Sequence, residues 1–133
     1  MGYLETKRSD YLYVVFRIGI GILFLMFGMM KIFGLWGMPA PVAFGTLYWF
    51  AGMSEILIAL SLITGVLTRL AAFFGIIEMI VAYSIGHASV GGWNPMRNQG
   101  APALLFMLSF FAVLAFGSRK ASLEKSVFKK ELF

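Results

Sequence analysis

Seven side chains in this sequence have the type and spacing to do chemistry inside apolar surroundings. Arg17, Glu55 and Glu78 each stand within a hydrophobic run, and Lys31, Tyr48, Tyr83 and His87 stand towards the ends of such runs. A guanidinium in hydrocarbon is tolerated where it faces other helices and meets an acidic partner. Glu55 and Glu78 are the acids near the middle of apolar segments, so the expectation is one buried network of Arg17, Glu55 and Glu78. Two carboxylates against one guanidinium leave an excess negative charge, which is what a proton-accepting site needs. The same three charges could equally be structural, fixing helix register.

The other four residues suggest a pocket. Tyr83 and His87 are neighbours at i, i+4, and Tyr48 lies two turns from Glu55 on the same helix face. Lys31 closes a face that also carries Arg17, Gly21 and Gly28. Lys31, Tyr48, Tyr83 and His87 together could donate hydrogen bonds to a carbonyl or an oxyanion, with Glu55 and Glu78 below them to exchange protons. The competing role for all four is to anchor helices at the headgroup level. With no cysteine and one histidine, thiol nucleophiles, disulfides and cysteine-ligated metals are excluded, and no metal site is expected. Met26, Met29, Met30, Met79 and Met107 are dispersed and read as packing residues rather than a copper site.

The elements that must position these groups are membrane helices. Of the 133 residues 60% are hydrophobic and 13% charged, with a mean hydropathy of +0.87, whereas soluble domains carry about 25% charged residues. Four apolar runs predict four helices, at about 11–33, 42–63, 70–88 and 101–116, in a single integral membrane domain over residues 1–133. About twenty residues cross a bilayer as a helix. The first run is too long for a signal-peptide core, contains Arg17 and lacks a small-x-small cleavage site, so it should persist as a helix. Small glycines at 21 and 28 would let a neighbour approach closely. Gly34 suits the left-handed residue that ends the helix. The connections GLWGMPAP and SVGGWNPMRNQG read as loops. Pro102 fits a first helical turn, and the basic tail 117–133 could form a short surface helix within 121–133.

Topology follows from counting basic residues. With four spans, Lys7, Arg8, Arg69, Arg119, Lys120, Lys125, Lys129 and Lys130 share one side, against Lys31 and Arg97 on the other. The positive-inside rule then puts both termini in the cytoplasm, with the protein in the plasma membrane. The net charge of +5 is explained by these basic flanks, so no nucleic-acid partner is expected.

The residue pattern resembles the DoxX family of small four-helix membrane proteins. The resemblance rests on Arg17, Gly21 and Gly28-Met29-Met30-Lys31, then Gly52-Met53-Ser54-Glu55, then Gly65-Val66-Leu67-Thr68-Arg69-Leu70-Ala71-Ala72. His87, the glycine-rich loop before the fourth helix, and Gly117-Ser118-Arg119 with Ser122-Leu123 complete it. The resemblance implies association with membrane oxidoreductase assemblies, including quinone-linked ones. The chain departs from the family where an acidic residue often leads into the fourth helix; here Gln99-Gly100-Ala101-Pro102 stands instead.

Two function classes follow. In one, the protein is an integral subunit of a quinone-linked oxidoreductase, surrounded by lipid and by other membrane subunits, with quinone as the cofactor its pocket could take. In the other, it is a stand-alone carrier, or a scaffold without chemistry of its own. No redox-cofactor ligand set is present, so the chain is not expected to be an enzyme alone or to bind a cofactor alone.

Overall fold

The computed structural model describes residues 3–131, with side chains from residue 6 onward. The described residues are helical with no strand. Helix α1 spans Tyr3–Phe33, α2 Leu47–Thr64, α3 Thr68–Gly91, α4 Ala101–Phe116 and the short α5 Leu123–Phe128. The stretches Thr6–Phe33, Leu47–Thr64 and Thr68–Gly91 are long and apolar enough to cross a membrane; α4 has 16 residues, about 24 Å at 1.5 Å per residue.

Helix α1 starts at Tyr3, not near residue 11, because nothing in the polar arm breaks a helix and Asp10 is held there. The Asp10 carboxylate lies 2.7 Å from Arg119 and 3.4 Å from Lys120 of the tail. Helix α2 starts five residues later than the apolar run suggests. Val42 is used up pairing with the end of α1, its N–H donating to Lys31 O at 2.9 Å, and Thr46 supplies the N-cap by accepting from the Trp49 N–H. Helix α3 starts at Thr68 and runs past residue 88, because residues Ala82–Ala88 widen into a π-helical turn before the last α turn. Gly34 does take the left-handed conformation (φ 65°), its N–H donating to Met30 O at 3.0 Å. In the tail, α5 covers only Leu123–Phe128 of the expected 121–133; residues 132 and 133 lie outside the described residues, as do 1 and 2 of the N-terminal arm.

Helix α1 packs chiefly on α2, and α3 chiefly on α4. The first contact is made by glycine. A Cβ on Gly28 would fall 2.8 Å from both Gly52 O and the Ile56 side chain, so only glycine lets the two helices approach this closely. The second is made by a ring against a glycine, Gly75 leaving room for the Phe110 ring, and Phe24 of α1 meets Phe106 and Phe110 of α4 in tilted and edge-on contacts with ring centroids 5.0 and 4.9 Å apart. Most of the apolar surface of the long helices faces outward, as it must where lipid is the solvent.

The bundle has two polar ends. At one, the N-terminal part of α1, the α2–α3 turn and the tail meet. At the other, the C-terminal part of α1, the start of α2 and the loop after α3 meet.

Candidate functional site

The site lies at the second end, beside the Lys31–Glu55 pair. Lys31 closes the last turn of α1, and Glu55 is in the middle of α2, 4% exposed. The glycine contact brings these helices together until Lys31 Nζ sits 2.5 and 2.6 Å from the two Glu55 oxygens. The ammonium also lies 5.9 Å from the Phe27 ring centre. One helix further, Glu78 Oε2 accepts a hydrogen bond from Ser54 Oγ at 2.9 Å. Its other oxygen, Oε1, is buried with no hydrogen-bond partner. Such an atom is costly unless something else binds there.

His87 is placed by the π-helical turn and by the loop. Its Nδ1 donates to the Asn98 carbonyl oxygen at 3.0 Å, which assigns a proton to Nδ1. Asn98 is buried and locks the loop: its Nδ2 donates to Gly92 O and its Oδ1 accepts from the Gly100 N–H, both at 2.7 Å. π-helical turns recur at functional sites because the extra residue re-aims side chains.

These groups line a cavity of about 600 Å³ between α2 and α3. Its polar lining is Lys31, Tyr48, Ser54, Glu55, Glu78 and His87, and its rim is exposed and apolar, with Leu47, Phe50, Val81 and Ile85. The opening therefore faces the lipid-exposed side of the bundle.

Two sequence expectations are corrected here. Arg17 does not join Glu55 and Glu78. Among the described residues it forms no ion pair. Its guanidinium is fully buried at the opposite end and donates to the carbonyls of Ser118, of Lys120 at 3.2 Å and of Ala121 at 2.7 Å. Those carbonyls follow the end of α4, where the helix dipole favours a cation, so Arg17 needs no acid. Tyr83 does not line the cavity. It is buried, and its hydroxyl donates to Trp93 O at 2.6 Å, pinning the loop instead. The structure brings together Lys31, Tyr48, Glu55, Glu78 and His87.

Residues missing from the sequence-based set are Ser54, Asn98 and Glu124. Ser54 is adjacent to Glu55 in Gly52-Met53-Ser54-Glu55, one step off the helix face that carries Tyr48 and Glu55. Asn98 stands in a loop with no periodicity to reveal it. Glu124 is buried in the tail, its Oε2 accepting from the Leu67 N–H at 2.6 Å at the start of α3, and it looks from sequence like one more charge on a solvated tail.

The sequence pattern of the DoxX family matches residues 12–88, which carry Arg17, Lys31, Glu55, Glu78 and His87. The chain belongs to the DoxX family. An uncharacterized protein of Haemophilus influenzae is 31% identical, over 98% of this chain and the whole of that relative. No solved structure matches. In this DoxX protein the family segment ends at the π-helical turn, so the family match contains every charged group of the cavity while the loop that seats His87 lies outside it.

Proposed function

We propose that this DoxX protein is a four-span subunit of the plasma membrane, both termini cytoplasmic, which docks with other membrane subunits of a quinone-linked oxidoreductase and receives the quinone head in the cavity beside Lys31. The observation that carries this reading is the cavity itself. Its mouth is apolar and faces lipid, and its floor has an ion pair, a hydroxyl and a buried carboxylate oxygen without a partner. A membrane-soluble ring with polar oxygens matches that combination. A volume of about 600 Å³ is within the range of pockets that enclose small organic ligands.

Bound quinone supplies a two-electron, two-proton couple. The residues of this chain bind and orient it. Lys31 Nζ and the Tyr48 hydroxyl are donors for its carbonyl oxygens, the Glu78 Oε1 atom and His87 Nε2 hold or release protons, and the apolar rim excludes water. The eight-to-two split of basic residues supports the cytoplasmic placement of the Arg17 end. It is supported further by the contacts that gather Asp10, Gly65 to Leu67 and the tail there. The fourth span is short at about 24 Å, which local thinning or packing against a partner accommodates.

The test is purification in mild detergent, with identification of co-eluting subunits and of extracted quinone. It is followed by Glu55→Gln and His87→Ala singly in the assembly. The expected result is co-purified quinone and quinone-dependent turnover that falls in both variants while the assembly stays intact. Turnover at the parental level in both variants refutes the reading, and loss of stability in step with turnover returns the residues to a structural role.

A further inference from the structure

A second cavity, of about 260 Å³, lies behind the first and between α1, α3 and α4. Its walls are mostly apolar, with Phe24, Phe27, Met30, Met79, Ala103 and Phe106. It shares Lys31, Glu55, Ala82 and His87 with the lateral cavity, so these residues form the partition between the two. At its far side it reaches Gln99 and Pro102, both exposed in the loop before α4 and in its first turn. The lateral cavity opens onto apolar rim residues, and the second opens onto a polar loop. The same ion pair lines both cavities.

We propose that this second cavity is the water-side access route to the Lys31–Glu55 pair, and that the pair is the partition separating water at the α3–α4 loop from the lipid-facing cavity. Protons taken up or released at the partition then exchange with the face that carries Gln99, not with the face that carries the termini. The titratable groups around the partition are Lys31 from α1, Glu55 from α2 and His87 from α3, with Tyr48 and Glu78 in the lateral cavity only; α4 contributes Pro102, Ala103 and Phe106, none of which titrates. The route towards the termini is closed by the packed core, where Phe24, Phe110, Leu62 and Val113 are essentially inaccessible. This inference rests on the two cavities and holds whatever ligand the lateral one takes.

The absence of cysteine makes the test direct, since one introduced thiol reports one position. Ala103→Cys and Met30→Cys place a thiol in the loop-side cavity, and Ala51→Cys places one in the lateral cavity. The full chain is placed in lipid vesicles, and a small charged methanethiosulfonate is added on the face bearing the α3–α4 loop. It is expected to modify Ala103→Cys and Met30→Cys and to spare Ala51→Cys, which a membrane-soluble maleimide does modify. Adding Glu55→Gln, or Lys31→Met as a second way of opening the pair, is expected to raise the charged reagent's rate at Ala51→Cys about tenfold, equivalent to removing roughly 1.4 kcal/mol from the closed state. An unchanged Ala103→Cys rate in the same background shows that the fold is intact. The proposal is overturned if both loop-side thiols are inert to the charged reagent or are reached only from the face bearing the termini. It is overturned equally if Ala51→Cys reacts at the same rate with and without the ion pair. Quinone is not read in this experiment, so its result is independent of the proposed function.

Discussion

Lys31 and Glu55, 24 residues apart, form a two-oxygen ion pair at 2.5 and 2.6 Å across the α1–α2 contact, next to a lipid-facing cavity. The pair lies one turn from the close contact of Gly28 with Gly52, so its geometry depends on those glycines. A Cβ added at Gly52 would lie 3.0 Å from Lys31 Cβ itself. Charge and close packing are therefore one feature in this fold.

Breaking the pair from one side should cost more than removing both charges. Lys31→Met or Glu55→Leu alone leaves a charge in a low-dielectric site and is expected to destabilise by about 3–5 kcal/mol. The double variant should recover much of that loss. Chemical denaturation in detergent, arranged as a double-mutant cycle, measures the coupling; additive single effects would contradict the arrangement.

Gly28→Ala and Gly19→Ala should behave oppositely. At Gly28 the new methyl meets backbone, Gly52 O at 2.8 Å, which cannot swing aside; at Gly19 nothing lies within 4 Å. The expected cost at Gly28 is about 1–3 kcal/mol from forced separation of α1 and α2. Gly19→Ala should be neutral or stabilising by up to about 1 kcal/mol through helix propensity. Thermal unfolding of the two variants checks both signs.

Arg17 should prove to be the fastener of the tail. Arg17→Met leaves the carbonyls of Ser118, Lys120 and Ala121 without their donor, with an expected cost of about 1–3 kcal/mol. Hydrogen exchange should accelerate over residues 117–128 and stay unchanged around His87. Arg17→Lys should restore only part of the protection, because one ammonium cannot reach three carbonyls in the fork geometry of a guanidinium.

The tail should also loosen in acid through Glu131. Burial raises its carboxyl pKa, but the Ser118 N–H, donating at 2.8 Å, and the Lys125 ammonium at 3.4 Å more than offset this and hold it below the ordinary value. A folded-state value below the unfolded one contributes stability that is fully present above the unfolded value of 4.5. That contribution is lost as pH falls through the folded value. Exchange of the Ser118 amide should therefore show an acid-induced rise beyond the intrinsic pH trend below about pH 4.5, absent in Glu131→Gln.

Much of this architecture was legible in the residues. Long apolar runs broken by Gly34, Gly65 and Pro-Gly loops announce membrane helices, because hydropathy and turn chemistry are local properties. The spacing of Gly21, Gly28 and Lys31 marked the contact face of α1 for the same reason. The partners of the buried charges were not legible. Arg17 lies 101 residues from Ser118, and a backbone carbonyl has no side-chain signature, so residue type alone points to Glu55 and Glu78 as its partners. Lys31 took Glu55 instead because helix offset, set by the glycine contact, places those two at one depth. Tyr83 turned to the Trp93 carbonyl, and the π-helical turn aimed His87 at Asn98. Residue type and spacing determined the helices and the membrane class; which charge meets which was decided by axial register between helices and by a tail folded back on the bundle, and both exist only in three dimensions.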